Sequence, residues 1–186
     1  MTQAMTGAED PTDAALVARW QSGDERAATL LVQRHAEPIA RFVASLGEHN
    51  DVDEVVQDTF VRAFSSLDGF RGESSLRTWL LTIARNLVRD RIRAARSGVQ
   101  RRQITVEEDH AVTDADPLET ALADETEQRL RTAMTRLSPM QREVFQLRVA
   151  EGTPYKDIAE IVGSTEGAAR VHYHNAMRSI KEFLND

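Results

Sequence analysis

TPYKDIAEIVGSTEGAARVHYHNAM, residues 153–177, is the stretch on which the fold turns. Thr153 is placed to cap a helix, and Pro154 suits the first helical position, where a missing N–H costs nothing. Ile158, Ala159, Ile161 and Val162 recur at helical spacing as one apolar face. Gly163 supplies a turn. Ser164 can cap a second helix that opens with Thr165 and Glu166, whose charge suits the N-terminal dipole. Ala169, Tyr173, Ala176, Met177 and Ile180 form a buried stripe on that helix, and Arg170, Val171, His174 and Asn175 point away from it. Two helices joined so tightly set a side-chain row where a DNA major groove can receive it. A plain helical hairpin would not need polar and basic residues on its outer side.

Upstream, Ser138-Pro139-Met140-Gln141 is a capping box with proline at the first helical position, opening a helix with Val144, Phe145 and Leu147 that Gly152 stops. Before it runs an apolar row of Leu118, Ala121, Leu122, Leu130, Met134 and Leu137, so a C-terminal domain is expected over 117–186. An N-terminal domain is expected over 12–97. Its first helix (Asp13, Leu16, Val17, Trp20) ends at Gly23, and Asp24 caps a second that bends near Pro38. A third helix carries Val52, Val55, Val56, Thr59, Phe60, Ala63, Phe64 and Leu67 inward, with Asp53, Glu54, Gln57, Asp58 and Arg62 outside. The loop DGFRGESS then leads into a long fourth helix, about 75–96, with Leu76, Trp79, Leu80, Ile83, Leu87 and Val88 inward. Residues 98–116 lack a helical period and read as a flexible acidic linker.

Alternating strand patterns are hard to find in these 186 residues, so the expectation is an all-α protein of two small helical domains. The absence of cysteine excludes disulfides and thiolate metal sites and fits a reducing cytosol. No apolar signal core or membrane-spanning run occurs, so a soluble, cytoplasmic protein without membrane insertion is expected.

The net charge of −7 argues at first against a nucleic-acid binder, but its distribution matters more than its sum. Residues 1–70 hold 5 basic and 12 acidic side chains, whereas 71–102 hold 9 basic and 2 acidic. Residues 103–127 hold 9 acidic groups and no Lys or Arg, and 128–186 hold 9 basic and 7 acidic. Such a chain should hold DNA poorly alone, because non-specific affinity comes from phosphate neutralisation. It can engage DNA when a larger partner delivers it. On the fourth helix Arg85, Arg89, Arg93 and Arg96 follow at spacings of four, four and three, a guanidinium row able to track a phosphate backbone. The loop before it, Phe70, Arg71, Gly72, Glu73, Ser74 and Ser75, sets small polar groups beside an aromatic ring. That chemistry can hold an unstacked base.

Over nearly its whole length the chain resembles bacterial RNA polymerase sigma factors of the extracytoplasmic-function, RpoE-like type. DVDEVVQDTFVRAF resembles the family's core-polymerase-binding helix, and FRGESSLRTWLLTIARNLVRDRIR the segment that melts and captures the promoter −10 element. LSPMQREVFQLRVAEGTPYKDIAEIVG followed by STEGAARVHYHNAMRSIKEFL resembles the domain that reads the −35 element. The middle match is the most specific, since helix-turn-helix patterns recur widely.

The resemblance implies a transcription initiation factor with no chemistry or cofactor of its own. It implies −35 duplex contacts by Thr165, Ala168, Arg170, Val171, His172, His174 and Asn175, with Arg170 the best placed for a guanine. It implies single-stranded −10 contacts by Phe70, Arg71, Ser74, Ser75, Arg85, Asn86, Arg89 and Arg93. Asp53, Glu54, Gln57 and Asp58 would dock on the basic clamp helices of the polymerase's largest subunit, where charge complementarity sets specificity and on-rate. An anti-sigma partner is implied by the family alone. Many relatives carry arginine near His172 and Asn175, so the −35 sequence read here departs from a common pattern. In relatives the linker threads the polymerase cleft. Glu107, Glu108, Asp109, Asp114, Asp116 and Glu119 can mimic RNA phosphates there or form a mere tether, and the residues leave both readings open.

Two other classes share parts of these features. A regulator with a response-regulator type helix-turn-helix explains the C-terminus but leaves FRGESSLRTWL and the basic helix unexplained. A sigma mimic that only sequesters an anti-sigma factor can dispense with DNA contacts, and the retained arginine row counts against it. No nucleophile–base pair or phosphate loop is present. His172 and His174 fall on different faces of their helix, and His35, His49 and His110 are scattered, so no metal site is expected. Trp79, Phe60 and Phe64 sit on apolar rows and read as core.

Overall fold

The computed structural model describes residues 10–47, 51–101 and 120–185, and these are helices and short turns. The N-terminal lobe comprises α1 (Asp13–Gln21), α2 (Glu25–Ser45), α3 (Val52–Ser65), a single 3-10 turn at Leu67–Gly69 and α4 (Leu76–Arg101). The C-terminal lobe comprises α5 (Thr120–Thr135), α6 (Pro139–Val149), α7 (Tyr155–Val162) and α8 (Glu166–Asn185). The all-α expectation holds. The fourth helix overruns the sequence boundary, reaching Arg101, while the linker carboxylates from Glu107 to Glu119 lie outside the described residues.

The starts of the first helices are where side-chain chemistry puts them. Thr12 Oγ1 accepts the Ala15 N–H at 3.2 Å, and an Asp24 carboxylate oxygen accepts the Arg26 N–H at 3.0 Å. Pro38 is accommodated inside α2. Where α1 meets α2, Asp13 pairs with Arg34 at 2.6 Å and with the buried His35 ring at 2.8 Å. Burial pushes the His35 imidazole below its ordinary pKa in spite of that carboxylate.

In the C-terminal lobe the capping box at α6 is complete: Gln141 N–H donates to Ser138 Oγ at 3.3 Å, and Ser138 N–H to Gln141 Oε1 at 3.0 Å. Four expectations are corrected. Pro154 rather than Thr153 stands at the cap of α7, and Thr153 is buried. Thr165, not Ser164, caps α8, its hydroxyl accepting the Ala168 N–H at 3.2 Å. Met177 is 39% exposed, because the stripe buried by α8 narrows to Ala169, Ala176 and Ile180 with Tyr173 partly covered. Leu130, placed on an apolar row, is also exposed, while Leu137 is buried.

The two lobes are packed together. Helix α7 lies against α4, and α6 against α2. One buried cluster runs from Leu31, Phe42, Leu80 and Leu81 in the first lobe to Val144, Leu147, Ile158 and Ile161 in the second. A smaller one, Ala133, Leu137, Phe145, Ala176 and Ile180, closes the far end of the C-terminal lobe.

Candidate nucleic-acid and polymerase interfaces

Helix α8 offers its outer face to solvent because the residues between its buried positions are polar or small. Arg170, Val171 and His174 are exposed, Val171 to 58%. Ala168, His172 and Asn175 are half-buried at the edges of that face. Thr165 is exposed at the N-terminus with its hydroxyl engaged in the cap. The Arg170 guanidinium is held from two sides: its carbon lies 4.6 Å from the centre of the Tyr155 ring, and it pairs with Glu166 one turn earlier. Arg148 sits over the same ring at 4.8 Å and donates to the Thr153 carbonyl at 3.0 Å, tying the end of α6 to the start of α7. Tyr155 meets Tyr173 edge-on, with ring centres 5.9 Å apart. The sequence reading missed Tyr155 and Arg148. Their only signal is an aromatic at the first turn of a helix whose partners lie on two others.

The loop before α4 is built around Phe70, half-buried against Trp79 with ring centres 5.1 Å apart. Trp79 thus packs, as expected, and the aromatic patch it forms with Phe70 borders the loop. Gly72 adopts φ +69, a left-handed turn that glycine accepts without a Cβ penalty. Arg71 is exposed and Ser74 half-buried. Ser75 is exposed, with Oγ accepting the Thr78 N–H at 3.1 Å and hydrogen-bonded to Thr78 Oγ1 at 2.8 Å, so it caps α4.

Along α4 Asn86, Arg89 and Arg93 are exposed. Arg85 is not, which corrects the open four-arginine row. It is 3% exposed, and its Nε donates to Glu143 of α6 at 2.6 Å. The cause is the second lobe, which covers the first part of the row. Arg89 and Arg93 line a groove of about 690 Å³ between the lobes, together with Val88, Ile92, Met140 and Arg142. The side chain of Arg96 lies outside the described ones.

On α3, Asp53, Glu54 and Gln57 are exposed and Asp58 is half-buried, so the four sit on an outer face. This face is partly neutralised from within. Arg91 of α4 reaches Asp58 at 3.0 Å and Glu54 at 3.1 Å, with Asp51 at 3.9 Å. Burial works against the charge on Arg91, but the hydrogen bonds it donates to Glu54 and Asp58 outweigh it and hold its pKa above the ordinary value. Among the described residues no group of His, Asp and Glu is arranged to hold a metal ion, and no helix is long and apolar enough to cross a membrane.

Comparison with known proteins places the chain in a family. Residues 31–98 match the model for sigma-70 region 2, and residues 127–180 match that for sigma-70 region 4. The chain is 34% identical over 181 residues to the ECF RNA polymerase sigma-E factor of Haemophilus influenzae, covering 94% of this chain and 96% of that protein. The chain belongs to the extracytoplasmic-function family of RNA polymerase sigma factors. It is 33% identical to the RNA polymerase sigma-H factor of Pseudomonas aeruginosa, with 92% of this chain and 93% of that protein covered. Among solved structures, it is similar to the sigma factor RpoE of Bartonella quintana in complex with the anti-sigma factor NepR, at a TM-score of 0.71 and 28% identity, covering 84% of this chain and 96% of that one. It is also similar to CnrH in complex with the cytosolic domain of CnrY, at a TM-score of 0.68 and 28% identity, with 93% and 97% covered. As a sigma factor the chain binds core RNA polymerase and directs promoter recognition, and it is not an enzyme.

Proposed function

We propose that this sigma factor divides promoter recognition between its lobes, with 117–186 reading −35 duplex and 12–97 binding core polymerase and opening −10 DNA. The observation that carries the reading is the outer face of α8, where Arg170, Val171 and His174 stand exposed on a helix that follows a tight turn. An exposed valine suits a thymine methyl, and a guanidinium with donors to spare suits guanine O6 and N7. Thr165 and the N-terminus of α8 suit a phosphate, with Ala168, His172 and Asn175 flanking. In the other lobe Phe70, Arg71, Ser74 and Ser75 form the mouth for an extruded −10 base, and Asn86, Arg89 and Arg93 follow the adjoining backbone. Arg85 joins them only if the lobes separate. Base stacking of roughly 1–3 kcal/mol per base offsets local unpairing of a few kcal/mol. Asp53, Glu54, Gln57 and Asp58 dock on the basic clamp helices of the largest polymerase subunit. A cytoplasmic anti-sigma factor is a further partner, in line with the complexes formed by the two structural relatives.

The experiment is transcription from a genomic promoter pool by core polymerase with and without this chain. The expected result is sigma-dependent transcripts sharing −35 and −10 sequences, with permanganate-reactive −10 thymines. Transcripts absent from the whole pool, with polymerase still bound, would refute promoter reading and leave a binder of polymerase alone.

A further inference from the structure

Glu151 is the one buried carboxylate among the described residues, with its side chain 1% exposed. It belongs to the segment between α6 and α7, yet both of its ion-pair partners come from the other lobe. Arg41 of α2 donates through Nε at 3.1 Å, and Arg77 of α4 through Nη2. Hydrogen bonding to Glu151 holds the Arg41 guanidinium above its ordinary pKa. A second pair crosses the same boundary, the nearly buried Arg85 with Glu143 at 2.6 Å. Three arginines of one lobe thus meet two carboxylates of the other, and for the buried Glu151 and Arg85 the loss of a partner is costly. The fit is incomplete: Arg77 Nε is buried without a hydrogen-bond partner among the described residues.

This closed arrangement is incompatible with the reading of two promoter elements at once. Elements named −35 and −10 lie roughly 25 base pairs apart, about 85 Å at about 3.4 Å per pair. Here α7, half of the −35 reader, lies directly on α4, half of the −10 reader. The lobes must part, and parting breaks both sets of ion pairs and exposes Glu151 and Arg85.

We propose that Glu151 and Glu143 form an electrostatic latch that closes the C-terminal lobe on α2 and α4, sequesters Arg85, and opens when polymerase and promoter draw the lobes apart. The latch rests on the two-lobe reading above for its purpose, though not for its existence. Removing the buried charge takes Glu151 from Arg77 and leaves Arg41 with Glu37 alone, which favours the open form, and affinity for core polymerase rises by the factor by which the competent fraction rises.

The test exploits a chain without cysteine. Dyes are placed at Gln33→Cys on α2 and Lys181→Cys on α8, both exposed positions, and energy transfer is read in the full-length protein with helicity followed by circular dichroism. Wild type is expected to show one high-transfer state. Glu151→Gln and Glu151→Arg shift it to low transfer at unchanged helicity, and core polymerase binds these variants about tenfold more tightly. Adding Arg41→Glu and Arg77→Glu to Glu151→Arg restores high transfer. Unchanged transfer in both single variants, or no recovery in the reversed-charge chain, overturns the latch. Should Glu151→Arg lose helicity, Glu143→Gln decides by the same readout, since loss of transfer supports the proposal and its persistence refutes it. Because closure is read without DNA, a chain that opens as described but fails to transcribe keeps the latch and loses the promoter assignment.

Discussion

On the proposed reading of α8, Arg170 is held ready for a base before any base is present. Its guanidinium lies over the Tyr155 ring at 4.6 Å and pairs with Glu166 on the preceding turn, so part of its rotamer entropy is already spent in the unbound protein. A guanidinium has five N–H donors, and the single Nη2 contact to Glu166 leaves enough of them for a bidentate guanine contact. Arg170→Ala is therefore expected to relax preference at one −35 position by about 1–3 kcal/mol while other positions keep theirs. A binding-site selection with holoenzyme measures this. Equal loss across all positions would mean that Arg170 touches only phosphate. The exposure of Arg170 was legible in the sequence, because it lies off the apolar stripe. Its support by Tyr155 was not, because that contact joins two helices whose angle no local pattern sets.

Between the helices, the turn at Gly163 sets the geometry of the α7–α8 pair proposed to read the −35 element. Gly163 has φ +65 and ψ 48, the left-handed conformation that ends α7, and its N–H donates back to the Glu160 carbonyl. A Cβ added there would meet nothing within 4 Å, so the cost of Gly163→Ala is backbone strain alone. The expected loss is about 1–2 kcal/mol in denaturant unfolding, with the slope unchanged. No change in midpoint would show that the turn relaxes out of the left-handed region. Element by element, the sequence was readable where a residue type has one use: glycine at this turn, the Ser138–Gln141 box, and Asp24 at the start of α2. It was ambiguous where neighbours compete. Ser164 and Thr165 both satisfy a capping pattern, and only the bond from the Ala168 N–H selects Thr165. Met177 stands next to Ala176, and a slight rotation of α8 decides which of the two is covered.

At the scale of the whole molecule the sequence overstates how much positive charge is on offer. Of the 9 basic residues in 71–102, Arg77 is committed to Glu151, Arg85 to Glu143 and Arg91 to Asp58 and Glu54. The partners of Arg77 and Arg85 lie 74 and 58 residues away, beyond any periodicity argument, so a row that is regular in the chain is interrupted in space. A separation of 33 residues likewise hid the bridging of Asp58 by Arg91. This difference has a measurable consequence in salt dependence, where single strands give a slope of about −0.7 per phosphate neutralised. Were all nine groups to face a −10 single strand, log K against log salt would fall with a slope of about −6, and each arginine withheld in an ion pair makes it shallower by about 0.7. The isolated chain is expected to show a shallower value in fluorescence anisotropy with a labelled −10 oligonucleotide. Glu151→Gln, which releases Arg77 and loosens the cover over Arg85, is expected to steepen it by about one. A wild-type slope near −6 would mean that these arginines are already open to DNA in solution, and the closed packing of the lobes would not describe the free protein.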